Sequence, residues 1–200
     1  MSDKKPLTMI AFGRSGCGKG TQLKLLSQKI NEIKGTKPES FATGDFFRNL
    51  FSNGTYTAKI AEDLTNNGQL QPLFLTVSMW GQAFIEKLNE NTDILIDGFP
   101  RRIEEAMILA DAFSFYNRQN IIILDFIGSR ESSKSRMLKR GRPDDTNENA
   151  VTRLDWYEKY VAPALLYLKE NPDFIYIPVD GERTIEDIHI DVMDKLISYI

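Results

Sequence analysis

Gly13-Arg14-Ser15-Gly16-Cys17-Gly18-Lys19-Gly20-Thr21 follows the apolar run Leu7–Phe12 and leads into Gln22-Leu23-Lys24-Leu25-Leu26, whose composition is helical. A strand, a glycine loop, a lysine and a helix in that order make a phosphate cradle. The glycines let backbone N–H groups converge on phosphate oxygens, and the start of the helix adds partial positive charge. Lys19 supplies a mobile full charge for the β- and γ-phosphates of a nucleotide. The general motif has Ser or Thr directly after the lysine. Here Gly20 intervenes and Thr21 follows, so the hydroxyl stands one position away from where the motif puts a Mg²⁺ ligand. Cys17 reads as a small filler of the loop rather than a reactive thiol.

Outward from this loop the chain alternates. Further short apolar runs are Ser40–Thr43, Ile94–Asp97, Ile121–Phe126 and Phe174–Val179, separated by longer stretches of helical periodicity. Such alternation reads as βαβ units, hence an α/β fold in three layers, a parallel sheet with helices on both faces. The continuous run Ile121-Ile122-Ile123-Leu124 fits a strand buried on both sides. Two stretches exceed a bare βα alternation. Residues 44–91 hold helical pieces broken at Gly54, Asn67-Gly68 and Pro72, and residues 136–153 carry a basic cluster around Gly141-Arg142-Pro143-Asp144-Asp145. Both read as elements mounted on the rim of the sheet.

Composition bounds the rest. At about 150 residues per domain, 200 residues predict a single domain. With 42% hydrophobic and 26% charged residues the chain is ordinary globular protein, which excludes wholesale disorder and collagen-like repeats. One cysteine and one histidine exclude an internal disulfide and a four-ligand Cys/His zinc site. A net charge of −3 argues against a protein that coats nucleic acid, while leaving room for a local basic pocket. The start, Met1–Pro6, has no signal-peptide pattern, and no run is long enough to span a membrane. The expected setting is the cytoplasm.

Two further motifs name a second anion. Thr43-Gly44-Asp45-Phe46-Phe47-Arg48 follows the second predicted strand and Asp97-Gly98-Phe99-Pro100-Arg101 the third. Each puts an arginine just past the carboxyl end of a parallel strand, where open α/β sheets bind ligands. Two guanidinium forks facing one pocket suit a dianionic phosphate.

With these residues in place, the chain resembles the adenylate kinase family of nucleoside monophosphate kinases from Leu7 to about Ile200. The variant loop Gly13–Thr21, which accounts for Gly20, and Asp97-Gly98-Phe99-Pro100-Arg101 carry the resemblance. It implies a P-loop fold with five parallel strands in the order 2-3-1-4-5 and a core of residues 1–43, 92–136 and 154–200. The acceptor (NMP-binding) segment is then 44–91, and a very short lid spans 137–153. It implies transfer of the γ-phosphoryl of ATP to AMP by a monomer, with Mg²⁺ as cofactor. The ATP site takes Gly16, Cys17, Gly18, Lys19, Gly20, Thr21 and Arg136, the last stacking on the base. The acceptor site takes Thr43, Gly44, Arg48, Gln71, Gly98, Arg101 and Glu105. Lys19, Arg101, Arg140, Arg142 and Arg153 act on the transferring group, with Asp144 and Asp145 orienting the lid arginines. Asp97 holds Mg²⁺ through water.

The lid is basic: residues 129–153 hold seven Lys and Arg against four Asp and Glu, inside an acidic chain. Only Gly141 separates Arg140 from Arg142, shorter than the usual short lid of the family. Phosphoryl transfer asks the protein mainly for positioning and charge stabilisation, which fits a set of cations with no nucleophile and no histidine base. Closure of the lid and of residues 44–91 would keep water from ATP; Gly44, Gly54, Gly68 and Gly141 are candidate hinges.

The acceptor base is the open point. Adenylate-specific members carry glutamine four residues after the arginine, where this chain has Glu105. An ionised glutamate accepts hydrogen bonds only, which suits guanine; equally, Glu105 faces solvent. UMP, CMP and GMP therefore stand as alternatives to AMP, and a P-loop switch without kinase activity as a remoter one. The helix expected over about 145–171 carries Trp156, Tyr157, Tyr160 and Tyr167 as a core-facing stripe, interrupted near Pro163.

Overall fold

The structure is a computed structural model, and residues 6–200 are described. Met1–Lys5, on which part of the expectation about targeting rests, lie outside the described residues. The five expected strands form at β1 (Thr8–Gly13), β2 (Glu39–Ala42), β3 (Ile94–Asp97), β4 (Ile121–Ile127) and β5 (Phe174–Asp180). They pair in parallel in the order β2-β3-β1-β4-β5. β1 is buried along its whole length, and Ile121–Leu124 are at most 2% exposed. This is why these segments read as continuous apolar runs rather than as alternating ones. Pro178 is tolerated in β5 because β5 is an edge strand.

Among the described residues nine α-helices surround the sheet: α1 (Lys19–Lys34), α2 (Thr43–Ser52), α3 (Tyr56–Asn66), α4 (Leu73–Lys87), α5 (Ile103–Phe115), α6 (Arg130–Arg140), α7 (Asn147–Trp156), α8 (Ala162–Lys169) and α9 (Ile185–Leu196). Thr43 starts α2 rather than ending β2. Along β1 the period of two sends alternate side chains to opposite layers. Ile10 and Phe12 join Phe84 of α4, Leu109 and Phe113 of α5 and Leu168 of α8. Met9 and Ala11 join Leu26 and Ile30 of α1 and Val192 and Leu196 of α9. Each fully buried Leu, Ile or Phe contributes roughly 1.5–3 kcal/mol, so the two layers fix the sheet rigidly under the loops at its edge.

Those loops decide the function. β1 has β3 on one side and β4 on the other, and the chain moves from one side to the other after β3. The crevice at such a reversal, outside the carboxyl ends of the strands, is the ligand site of open α/β sheets. The glycine loop leaves β1 at that point. The segment expected as helical pieces over 44–91 is α2, α3 and α4, with breaks at Gly54, Asn67-Gly68 and Pro72 as expected. Gly54, Gly68 and Gly141 have φ of 61°, 66° and 67° and lie just beyond helix ends.

The helix expected over 145–171 is interrupted earlier than Pro163. α7 gives way at Tyr157–Val161 to one π-helical turn, and α8 resumes at Ala162. Pro163 then sits in the first turn of α8, where its missing N–H costs no intrahelical bond. Among the described residues no helix is long and apolar enough to cross a membrane.

Candidate active site

The glycine loop folds tightly because side chains are excluded from it. A Cβ on Gly16 would lie 2.3 Å from the carbonyl oxygen of Ser133 in α6, and φ there is +87°. Gly20 answers the question its position raises. A Cβ there would stand 3.3 Å from Oδ2 of Asp97, so the glycine admits the carboxylate at the end of β3 close to the first turn of α1. Lys19 Nζ donates to the carbonyls of Gly13 at 2.7 Å and Arg14 at 2.9 Å, bridging the loop it serves. Cys17 is 1% exposed and part of the core beneath the loop, as expected of a filler.

The loops after β2 and β3 meet beside it. Thr43 Oγ1 donates to the carbonyl of Gly98 at 2.8 Å, joining the loop after β2 to the loop after β3. The guanidinium of Arg101 packs against Gly98 and that of Arg48 against Gly44. The two arginines thus flank the Thr43–Gly98 junction. They differ in state. Arg48 is exposed and paired with Asp45. Arg101 is half-buried, and its Nε donates to Gly98 O at 2.6 Å. Among the described residues no hydrogen bond or ion pair uses its Nη1 or Nη2. Burial lowers the pKa of Arg101; Glu105 and Asp97 nearby work against this and Arg153 with it.

Asp144 and Asp145 gather the arginines of the segment expected as a lid. Asp145 has a fully buried side chain. It accepts from Arg140 Nε at 2.9 Å and Nη2 at 2.8 Å, from Arg153 Nη1 at 3.0 Å and from Arg142 N at 3.2 Å. Asp144 pairs with the other arm of Arg153. Burial alone would raise the pKa of Asp145; the hydrogen bonds and charges of these arginines outweigh it and hold the carboxyl below its usual range. The guanidinium of Arg142 is unpaired among the described residues, and its pKa is lowered by burial and then by Arg140 and Arg48. Irregular chain in the lid is confined to residues 141–146, since α6 runs through Arg140 and α7 starts at Asn147. Arg136, the arginine expected at the ATP base, donates to the carbonyl of Gly181 at 2.6 Å and so stands against the loop after β5.

One expected acceptor residue is placed otherwise. Glu105 faces neither solvent nor an open cleft. It is 2% exposed, with Oε1 accepting from Trp80 Nε1 at 3.2 Å and Oε2 from Arg101 N at 2.7 Å. Burial raises its pKa, and the Arg101 hydrogen bond opposes this. Two donors converging on two oxygens explain glutamate here: a glutamine would turn its NH₂ toward one of them. We expect Glu105→Gln to leave the ratio of AMP to GMP turnover unchanged and to cost about 1–3 kcal/mol of stability. Denaturant unfolding and paired turnover assays check this; a shifted ratio with unchanged stability contradicts it. Gln71 is also turned inward, its Nε2 donating to Ala61 O at 2.7 Å and Thr65 Oγ1 at 3.0 Å. Its side chain braces the turn after α3.

The sequence reading missed what the aromatic stripe carries. Trp156, Tyr157 and Tyr167 do pack against the core. Yet Arg101 lies over Trp156 at 5.1 Å, Arg14 over Tyr157 at 5.0 Å and Arg102 over Tyr160 at 5.5 Å. A signal existed: Asn149, Arg153 and Trp156 are spaced i, i+4, i+7, one face of α7.

Comparison with known proteins agrees with this geometry. The family model described as adenylate kinase matches residues 11–172. The chain is similar to the adenylate kinase of Corynebacterium urealyticum, 32% identical over 182 residues that cover 91% of this chain and 94% of that one. It is similar to that of Corynebacterium diphtheriae, 31% identical over 190 residues, 95% and 99% of the two chains. That of Azobacteroides pseudotrichonymphae is 30% identical over 189 residues, 92% and 94%.

Proposed function

The chain belongs to the adenylate kinase family and is a nucleoside monophosphate kinase; from that premise we propose that it transfers the γ-phosphoryl of ATP to AMP, giving two ADP. The observation that carries the reading is Arg101, a half-buried guanidinium whose Nη1 and Nη2 are uncommitted among the described residues, beside the junction of the two acceptor loops. A cation held out of water without a carboxylate within bonding distance is suited to an incoming dianion.

In this reading Gly16, Cys17, Gly18, Gly20 and Thr21 offer the backbone cradle for the ATP phosphates, and Lys19 leaves its loop carbonyls for the β/γ oxygens. Arg136 and the Gly181 carbonyl frame the base. Thr43, Gly44 and Gly98 wall the acceptor site, and Arg48 and Arg101 clamp its phosphate. Arg140, Arg142 and Arg153 neutralise charge on the transferring oxygens. Asp145 keeps Arg140 and Arg153 side by side before substrate arrives, so little reorganisation is left for the reaction. Asp97 fits Mg²⁺, because a half-buried carboxylate beside the phosphate loop, completed by phosphates and waters, is the donor set this ion takes. When bound, the ion would neutralise β/γ-phosphate charge. Residues 44–91 and the lid at 137–153 are the moving parts of the reading. The setting is the cytoplasm, where one buried unpaired cysteine is at home, and the working form is a monomer.

The test is diphosphate formation from ATP with AMP, UMP, CMP and GMP in turn. AMP is expected to give the highest kcat/KM. Faster turnover of another monophosphate reassigns the acceptor, and ATP hydrolysis that ignores every monophosphate would mark a nucleotide switch.

A further inference from the structure

One face of α7 binds parts of the site that come from distant segments. Trp156 Nε1 donates to the carbonyl of Gly68 at 3.0 Å, in the turn between α3 and α4. Asn149 Nδ2 donates to Asn66 O at 3.0 Å, at the end of α3 just before that turn, and to Asp144 O at 3.2 Å in the lid. Between them on that face stands Arg153, paired with Asp144 and Asp145. The indole ring of Trp156 at the same time underlies the guanidinium of Arg101.

A ring face is an unusual support for a phosphate clamp, and it has a chemical advantage. A carboxylate partner would occupy the Nη atoms and compete with the ligand. An aromatic face attracts the cation through its quadrupole and leaves the edge of the fork free. Nε is already held by Gly98 O, so ring and carbonyl together fix the plane of the guanidinium and leave both Nη groups for phosphate. The indole N–H, on the edge of the same ring, is committed to Gly68.

We infer that Trp156 is a positioning residue for the acceptor phosphate: its ring aims Arg101, and its N–H docks the turn after α3 against the helix that carries Arg153. Arg101 is then aimed when the acceptor segment is seated against α7, which links acceptor binding to the lid arginines. The inference rests on the kinase reading above, because the ligand of Arg101 is taken to be the acceptor phosphate.

The experiment is calorimetric titration of the wild-type chain, Trp156→Phe and Trp156→Ala with AMP alone and with ATP alone, beside steady-state turnover. Trp156→Phe keeps a ring face and loses the N–H. It is expected to weaken AMP binding about fivefold to tenfold, the effect of one hydrogen bond, and to leave ATP binding within about twofold by the same argument. Trp156→Ala removes both supports and should weaken AMP further. Should the alanine variant fail to fold, the phenylalanine variant still decides. Trp80 and Trp156 are the two tryptophans of the chain. The emission change on adding AMP should therefore be present in the wild type and largely lost in Trp156→Phe. Equal weakening of AMP and ATP, or unchanged AMP affinity in Trp156→Phe, overturns the inference. Failure of the wild type to form diphosphate overturns the kinase reading instead, and the AMP titrations still judge Trp156.

Discussion

Lys19→Ala is expected to lower kcat/KM by roughly a thousandfold or more, the scale of removing a charge-stabilising donor from a transferring group. The side chain holds two carbonyls of its own loop, Gly13 at 2.7 Å and Arg14 at 2.9 Å. Those bonds keep the ammonium inside the cradle with no carboxylate paired to it among the described residues, so moving it onto a phosphate oxygen replaces neutral acceptors by an ionised one. The ammonium is a charged donor in both places, and a phosphate oxygen adds an opposite charge to attract it, which the carbonyls lack. The fold should survive, since the two apolar layers that build the sheet do not include Lys19. The measurement is turnover beside thermal unfolding. A variant with a wild-type melting temperature and activity within tenfold of wild type would show that another group does the work of Lys19.

Arg101→Ala should act on the other substrate. Losing one partner of a desolvated charge pair costs about 2–5 kcal/mol, or roughly 30-fold to several thousand-fold in acceptor affinity. The affinity for ATP should change little. The backbone bond from Arg101 N to Glu105 is kept in this variant, so the loop after β3 should hold its shape. Arg101→Lys should fall between, because an ammonium lacks the planar fork that can bond Gly98 O, lie on Trp156 and keep two donors for phosphate at once. Titration with AMP and with ATP separately reads both effects. A monophosphate affinity equal to wild type in Arg101→Ala would remove the acceptor site from this place in the fold.

Much of this was legible in the chain because it depends on local rules. A glycine loop between an apolar run and a helix has few alternatives, and alternating apolar and amphipathic stretches admit few topologies. Arg48 and Arg101 were findable because they follow predicted strands closely, and position after a parallel strand fixes which end of the sheet a residue occupies. The lid arginines with Asp144 and Asp145 lie within one short stretch, so their meeting needs only a tight turn.

Glu105 shows where such reading stops. Its distance from Arg101 in the chain says that it follows the loop after β3, but not which way its carboxylate turns. That was decided by Trp80, 25 positions earlier on α4, whose N–H needs an acceptor in the core. Gln71 was likewise drawn inward by Ala61 and Thr65. For Trp156, helical periodicity assigns the side chain to a core-facing stripe without naming what crosses that face. Gly68, 88 residues away, and Arg101 arrive there only when α7 packs across the acceptor segment.

Backbone conformation and strand burial follow from neighbours along the chain, so the sheet, the glycine loop and the cations that follow its strands could be read from residue order. Tertiary structure alone decided which of those cations are free. Asp145 ties Arg140 and Arg153, while among the described residues the Nη groups of Arg101 and the guanidinium of Arg142 have no bonded partner. The physical reason is that a buried donor must find an acceptor wherever packing brings one, and packing is a property of the folded chain.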